Sequence, residues 1–346
     1  GTLYAETSRW FLIFVNQFVG SFYAPALYML LAIIIMMAAA YVLSRVWHLE
    51  KAVERIMLFA LMAACPFLVA RMDFECKVGY ALPFLFAVCA VFWANKCTLK
   101  GLIFATLFVL FTWASYPLPI NGVIVATLFS CLFILARQEL SLGTLLEAGK
   151  QAAANVLALG IGSVLYQLTL KLYWVPVEIE AEKFQVVIIS SWDQFLARAT
   201  LVWQQFISLY FCEHLMFPQA LKYCLSALVL LALVTLVRQA FITESALWKK
   251  LAKAACLALF FLVGLTAYQA SSWFMPYLLK QPYRLAELAF CYAATAAVIL
   301  RFSPLPTRRL SLTLLCVLIA GLTVMANNYF HYRLVMSRYD DMLTAR

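Results

Sequence analysis

Long apolar runs alternate along the chain with short polar breaks. Residues 23–43 (YAPALYMLLAIIIMMAAAYVL) carry no charge and match the roughly 20 residues that a bilayer-crossing helix needs. Runs of this kind predict spans at 23–46, 54–70, 79–95, 99–116, 119–136, 151–173, 219–238, 251–270, 285–301 and 309–327. The breaks between them alternate in charge. Arg45, Lys51 and Arg55 fill the first, and Lys96 with Lys100 a later one. Then come Arg137 and Lys150, the group Arg238, Lys249, Lys250 and Lys253, and finally Arg301, Arg308 and Arg309. Basic breaks stay in the cytoplasm, so residues 1–22, 71–78, the turn at Pro117–Pro119, 174–218, 271–284 and the tail after Asn327 are predicted to lie outside.

Two apolar segments do not fit a crossing. Residues 200–217 (TLVWQQFISLYFCEHLMF) place Gln204, Gln205 and Ser208 on one face and continue into Glu213 and His214. Counting them as a span would invert every later loop, so they read as an interfacial or re-entrant helix on the outer side. Residues 10–20 are too short to cross and are expected along the same surface. Gly160, Gly162 and Ser163 are expected to mark close helix contacts. No repeat or linker divides the chain. The expected fold is all-α: one integral-membrane domain over 1–346, a polytopic membrane helical bundle of about ten transmembrane helices with interfacial helices on the outer face. Beginning at Gly1 and stopping inside a charged, helix-favouring tail, the sequence reads as a fragment truncated at both ends.

Composition sharpens this picture. A hydrophobic content of 66% and a mean hydropathy of +0.91 exclude a soluble domain. The net charge of +10 sits at helix ends, where it fixes topology and meets lipid phosphates rather than nucleic acid. Most of the ten cysteines lie in apolar runs without a CxxC pair, and the three histidines are scattered. That argues against a disulfide framework or a metal cluster. No cofactor is expected, and a divalent ion held by carboxylates stays open.

The outer breaks carry the candidate chemistry. Glu6 and Arg9 open the chain, and the segment RMDFECK holds Arg71, Asp73, Glu75 and Lys77. Lys280 and Arg284 lie in SSWFMPYLLKQPYR. Cations converging at the headgroup level would hold a phosphate through charge-assisted hydrogen bonds, while each alone would pair with a local carboxylate or a phospholipid. A carboxylate there, Glu6 or Asp73, could act as general base toward a sugar hydroxyl. Trp174, Trp192, Trp273, Tyr277 and Tyr283 suit either sugar stacking or an interfacial aromatic belt. No apolar run carries the chain of buried charges that an ion-coupled transporter needs, although Pro66, Pro83 and Pro117 could break helices as transporters do.

Several short patterns together resemble the serotype-converting O-antigen glucosyltransferases, membrane enzymes of the GT-C type. Ser8–Trp10 (SRW) is similar to that family's GRW-like opening, and Tyr116-Pro-Leu-Pro-Ile-Asn121 to its Y-x-x-x-x-N at the mouth of a helix pair. Pro66-Phe67 with the polar loop 71–77 resembles its second outer loop, departing from the pattern at Glu75 and Lys77. Pro282-Tyr-Arg284 is similar to its late P-x-R loop, and NNYFHYRLVMSRYDDMLTAR to its closing segment.

The resemblance implies a periplasm-facing active site in a bacterial inner membrane. Glucose would move from undecaprenyl-phosphate-glucose to an O-antigen or lipopolysaccharide acceptor, with inversion at the anomeric carbon. Glu6 or Asp73 would be catalytic. Arg9, Arg71, Glu75, Lys77, Tyr116, Asn121, Lys280 and Arg284 would bind substrate, with membrane lipids as the other partners. The alternatives are a flippase or exporter of the same lipid-linked sugar, or a non-catalytic subunit of a polysaccharide assembly complex.

Overall fold

The computed structural model describes residues 10–19, 25–65, 77–116, 118–172, 191–210, 218–273 and 286–344. Among them no strand occurs, in keeping with a lipid-exposed backbone that must satisfy its own N–H and C=O groups. The helices are α1 (Trp10–Val19), α2 (Pro25–Val46), α3 (Ala52–Ala64), α4 (Lys77–Ala94), α5 (Leu99–Ser115) and α6 (Ile120–Arg137). They continue with α7 (Leu142–Leu172), α8 (Trp192–Tyr210), α9 (Gln219–Thr243) and α10 (Leu247–Thr266). A 3-10 helix (Ala267–Trp273) then leads to α11 (Leu288–Phe302) and α12 (Leu305–Thr344).

Among the described residues six helices are long and apolar enough to cross a membrane: α2, α6, α7, α9, α10 with the start of the 3-10 helix, and α12. They make the chain a multi-pass membrane protein. The apolar parts of α4, α5 and α11 are shorter. Each sequence-predicted span coincides with a helix, but 54–70 is matched only by the 13-residue α3, and 66–70 fall outside the described residues. Pro83 lies within α4 without ending it. Toward the C-terminus, the predicted span 309–327 is the first half of one 40-residue helix. At 1.5 Å per residue α12 is about 60 Å long, roughly twice a hydrocarbon core.

The turns after α2, α6, α9 and α11 gather at one end of the bundle. Arg137, at the end of α6, donates Nη2 to the carbonyls of Trp47 (3.0 Å) and His48 (3.3 Å) in the α2–α3 turn. Leu140 N, after α6, donates to Glu244 Oε1 after α9. Glu54 on α3 faces Arg301 and Arg308, which flank the α11–α12 turn. This is the basic end that the sequence predicts.

From that end α7 departs at Leu142 and to it α9 returns at Thr243. The chain between them therefore starts and finishes at the far end, and α8 lies on this excursion. Eight residues longer at its start than the sequence indicates, α8 packs on α9, α10 and the 3-10 helix. Val202 and Phe206 turn inward while Trp192, Leu196 and Trp203 stay exposed. At the other end of the chain, α1 rests Phe11 on Phe111 of α5 (centroids 5.0 Å apart) and Phe86 of α4 (5.6 Å).

The core forms around α6, which touches α4, α7, α10, α11 and the 3-10 helix. Trp47 sets the depth of its aromatic layer, donating Nε1 to the carbonyl of Ala126 at 3.2 Å and packing on Phe129 and Phe133. Phe261 meets Phe129, and Phe302 stacks on Phe133. Small residues admit close approach at some expected places and not others. A Cβ on Gly162 would lie 2.5 Å from Val109 Cγ1 on α5, whereas one on Gly160 would meet nothing within 4 Å. Gly160 is therefore no contact point: it faces outward while the next turn of α7 meets α5. Ser163 does sit at the contact, accepting a hydrogen bond from Trp113 Nε1 at 3.0 Å.

Candidate functional site

At the far end, four buried polar side chains come from four different elements. Asn121, in the first turn of α6, is fully buried and donates Nδ2 to the carbonyl of Tyr268 at 2.8 Å. This bond joins segments 147 residues apart and holds the 3-10 helix against α6. Gln269 follows Tyr268 and is equally sealed. Glu287 occupies the N-cap of α11 with no exposed surface, its carbonyl accepting from Phe290 N at 3.0 Å. Lys222, in the first turn of α9, is 1% exposed and donates Nζ to the carbonyl of Ser208 on α8 at 2.9 Å.

Aromatic and thiol groups line the same end. Tyr116, which caps α5, meets Tyr80 edge-on with centroids 5.2 Å apart. Cys291, one turn after Glu287 and within its electrostatic reach, donates Sγ toward the carbonyls of Gly264 and Leu265. Tyr292 beside it is 2% exposed. A Cβ on Gly122 would lie 2.5 Å from Phe290 Cε2, so the start of α11 is pressed directly on the start of α6.

Burying an ionised carboxylate or ammonium is costly unless it is paired and hydrogen-bonded. In membrane segments such groups mark function far more often than surface charges do. Glu287 and Lys222 thus outrank every exposed charge as site residues. Sequence reasoning missed both, because each sits in the end turn of a predicted span, where a lone charge reads as interfacial. The available signal was a carboxylate three residues after Arg284, inside an otherwise apolar run.

Of the sequence-predicted site residues, Tyr116 and Asn121 lie at this end, on either side of the α5–α6 turn. Asn121 commits its Nδ2 to a backbone carbonyl and so acts as a positioning residue. Lys77 opens α4, and its side chain lies outside the described residues. Glu6, Arg9, Arg71, Asp73, Glu75, Lys280 and Arg284 also lie outside them. Among the described residues no three His, Cys, Asp or Glu side chains group as a metal site requires.

Searches against protein-family models, curated proteins and solved structures find no match. Fold and site together define a class: a multi-pass helical membrane protein with buried ionisable groups at both ends, Glu54, Glu244 and Lys253 among the basic turns and Lys222 and Glu287 opposite them.

Proposed function

We propose that the protein is a membrane glycosyltransferase, moving glucose from undecaprenyl-phosphate-glucose to O-antigen or other lipopolysaccharide sugars at the periplasmic face of a bacterial inner membrane. The observation that carries this reading is the sealed carboxylate of Glu287, three residues beyond Arg284, at the end opposite the basic turns. In the reaction the acceptor hydroxyl loses its proton to a carboxylate base, its oxygen bonds to the anomeric carbon, and the bond from that carbon to the phosphate oxygen breaks. The carrier phosphate leaves with that electron pair, and cations stabilise the charge as it develops. Glu6 or Asp73 is the base, and Arg71, Lys280 and Arg284 are the phosphate clamp. Glu287 has no exposed surface to offer an acceptor, so it serves by fixing the start of α11 and the loop before it.

The leading alternative is a flippase of the same lipid-linked sugar, which needs a polar path from one end to the other. From the basic end inward, Trp47, Phe302, Phe133, Phe129 and Phe261 close the bundle with aromatic rings, and this favours transfer over passage. Membranes holding the protein, given polyprenyl-phosphate-glucose and O-antigen acceptors, should yield glucosylated acceptor and free carrier phosphate in equal amounts. Transbilayer movement of the donor without phosphate release would replace the enzyme with the flippase. Donor binding with neither outcome would favour a non-catalytic assembly subunit.

A further inference from the structure

The basic end holds more guanidinium groups than its carboxylates can occupy. Among the described residues, Arg45, Arg55, Arg137, Arg301 and Arg308 share two nearby carboxylates, Glu50 and Glu54. Glu54 is 1% exposed, and its Oε2 already accepts from Lys51 N at 3.3 Å. Arg301 Nη1 stands 3.9 Å from Oε2, and Arg308 Nη2 4.0 Å from Oε1. Both separations exceed hydrogen-bond length.

Each guanidinium carries five N–H donors in a planar fork. Among the described residues neither Arg301 nor Arg308 hydrogen-bonds any of them, and their side chains keep 21% and 18% of their surface. Arg137 belongs to the same cluster. Its Nη2 is taken by the α2–α3 turn, yet its Nε is buried with no hydrogen-bond partner among the described residues. Arg55 is committed to the carbonyl of Leu49 at 3.0 Å.

Such an arrangement is attractive for an anion with several acceptor oxygens, and phosphate matches the fork geometry best. The surroundings show what the phosphate is attached to. Val53 and Ile56 on α3 and Leu305 and Leu310 on α12 are exposed apolar side chains, on the two helices that contribute Glu54 and Arg308. α3 and α12 also touch one another. An amphiphile with acyl chains along α3 and α12 would bring its headgroup to Arg301 and Arg308. Basic pockets between membrane helices at the cytoplasmic boundary take anionic lipids by this logic.

We propose that Arg301 and Arg308, backed by Arg137, form a binding site for the phosphate of an anionic phospholipid, with Glu54 as an internal carboxylate that competes for the same guanidiniums. The site is independent of the glycosyltransferase reading and lies at the opposite end of the bundle.

The test uses the full chain in a neutral detergent, with retained lipid measured by mass spectrometry during titration with phosphatidylglycerol or phosphatidylcholine. Wild type should bind phosphatidylglycerol about 10-fold or more tightly than phosphatidylcholine, whose choline ammonium offsets the charge of the same phosphate diester and so weakens its attraction to the guanidiniums. Glu54→Gln/Arg301→Gln/Arg308→Gln removes the clamp without stranding a buried carboxylate, and should abolish the preference. Lys249→Gln/Lys250→Gln, which subtracts two charges elsewhere at the same end, should keep it. Glu54→Gln alone should tighten phosphatidylglycerol binding, because the competitor is gone. The proposal fails if the triple variant keeps the preference, if the lysine variant loses it equally, or if Glu54→Gln leaves the affinity unchanged. Displacement of the lipid by millimolar inorganic phosphate would make the ligand a free anion and overturn the lipid assignment.

Discussion

Lys253 and Glu244 meet at 3.2 Å with both side chains sealed from solvent, tying α10 to the end of α9. Lys253 Nζ also donates to Thr243 Oγ1 at 2.6 Å and to the carbonyl of Gln138, while Glu244 Oε1 accepts from Leu140 N. The pair thereby staples the α6–α7 turn to the α9–α10 turn. Its partners are in place, so its worth shows only when one half is removed.

Lys253→Met leaves a buried carboxylate facing one backbone N–H. That should cost on the order of 3–5 kcal/mol, the range for breaking a buried pair from one side. Adding Glu244→Gln to Lys253→Met should restore part of the loss, because no charge is then stranded. Thermal unfolding in detergent, measured for both variants, separates the cases. Equal loss in the single and double variants would mean that packing, not charge, accounts for the effect.

His48 sits in the α2–α3 turn with φ at 53°, in the left-handed region. Partial burial lowers its pKa from the ordinary value of 6.5, and the nearby charges of Arg137, Arg301 and Arg45 lower it further, with Glu50 opposing them. The folded state therefore takes up this proton at lower pH than the unfolded chain does. The contribution is whole above the unfolded value of about 6.5 and is lost as pH falls through it toward the folded value. A scan of melting temperature from pH 7.5 to 5.5 should show a shallow decline that His48→Asn flattens; asparagine tolerates the left-handed backbone and does not titrate. An identical decline in the variant would assign the pH response to other groups.

Gly162 and Gly160 give a matched pair on α7. Gly162→Ala drives a methyl into Val109 Cγ1 and Cβ and toward the carbonyl of Thr106, and should destabilise by about 1–3 kcal/mol. Val109→Ala in the same chain should relieve most of that. Gly160→Ala meets nothing and should be neutral or slightly stabilising through helix propensity. A shared melting temperature for the two single variants would refute the α5–α7 contact at Gly162.

Helix positions were legible in the sequence because bilayer length and backbone satisfaction leave few choices: α2, α6 and α9 begin within two residues of their predicted starts. The gathering of the basic turns at one end followed from charge alternation alone. Burial was not legible. Lys222 and Glu287 look like interfacial charges in one dimension and are sealed only in the fold, Lys222 where α8 lies against α9 and offers it the carbonyl of Ser208. Glu54 is similar: it reads as one carboxylate in a basic break, and only the fold sets it between Arg301 and Arg308. Asn121 was legible as a residue that matters, but its partner is a backbone carbonyl 147 residues away. Periodicity carries no trace of such a bond.

A final prediction separates three carboxylates, Glu6, Asp73 and Glu287. If Glu6 or Asp73 is the base, replacing the right one by its amide should lower turnover on the order of 10²-fold or more, since the shape remains and only proton acceptance is lost. Glu287→Gln should behave differently. It has no exposed surface in the folded protein, so its effect must travel through the start of α11 and the loop carrying Lys280 and Arg284. A positioning role raises KM for the polyprenyl-phosphate donor and leaves the pH profile of kcat in place. A base role removes the limb of that profile governed by the carboxylate. Measuring kcat and KM for Glu6→Gln, Asp73→Asn and Glu287→Gln across pH therefore assigns the proton acceptor. Loss of the limb in Glu287→Gln alone would transfer the catalytic role from the outer loops to the buried end of the bundle.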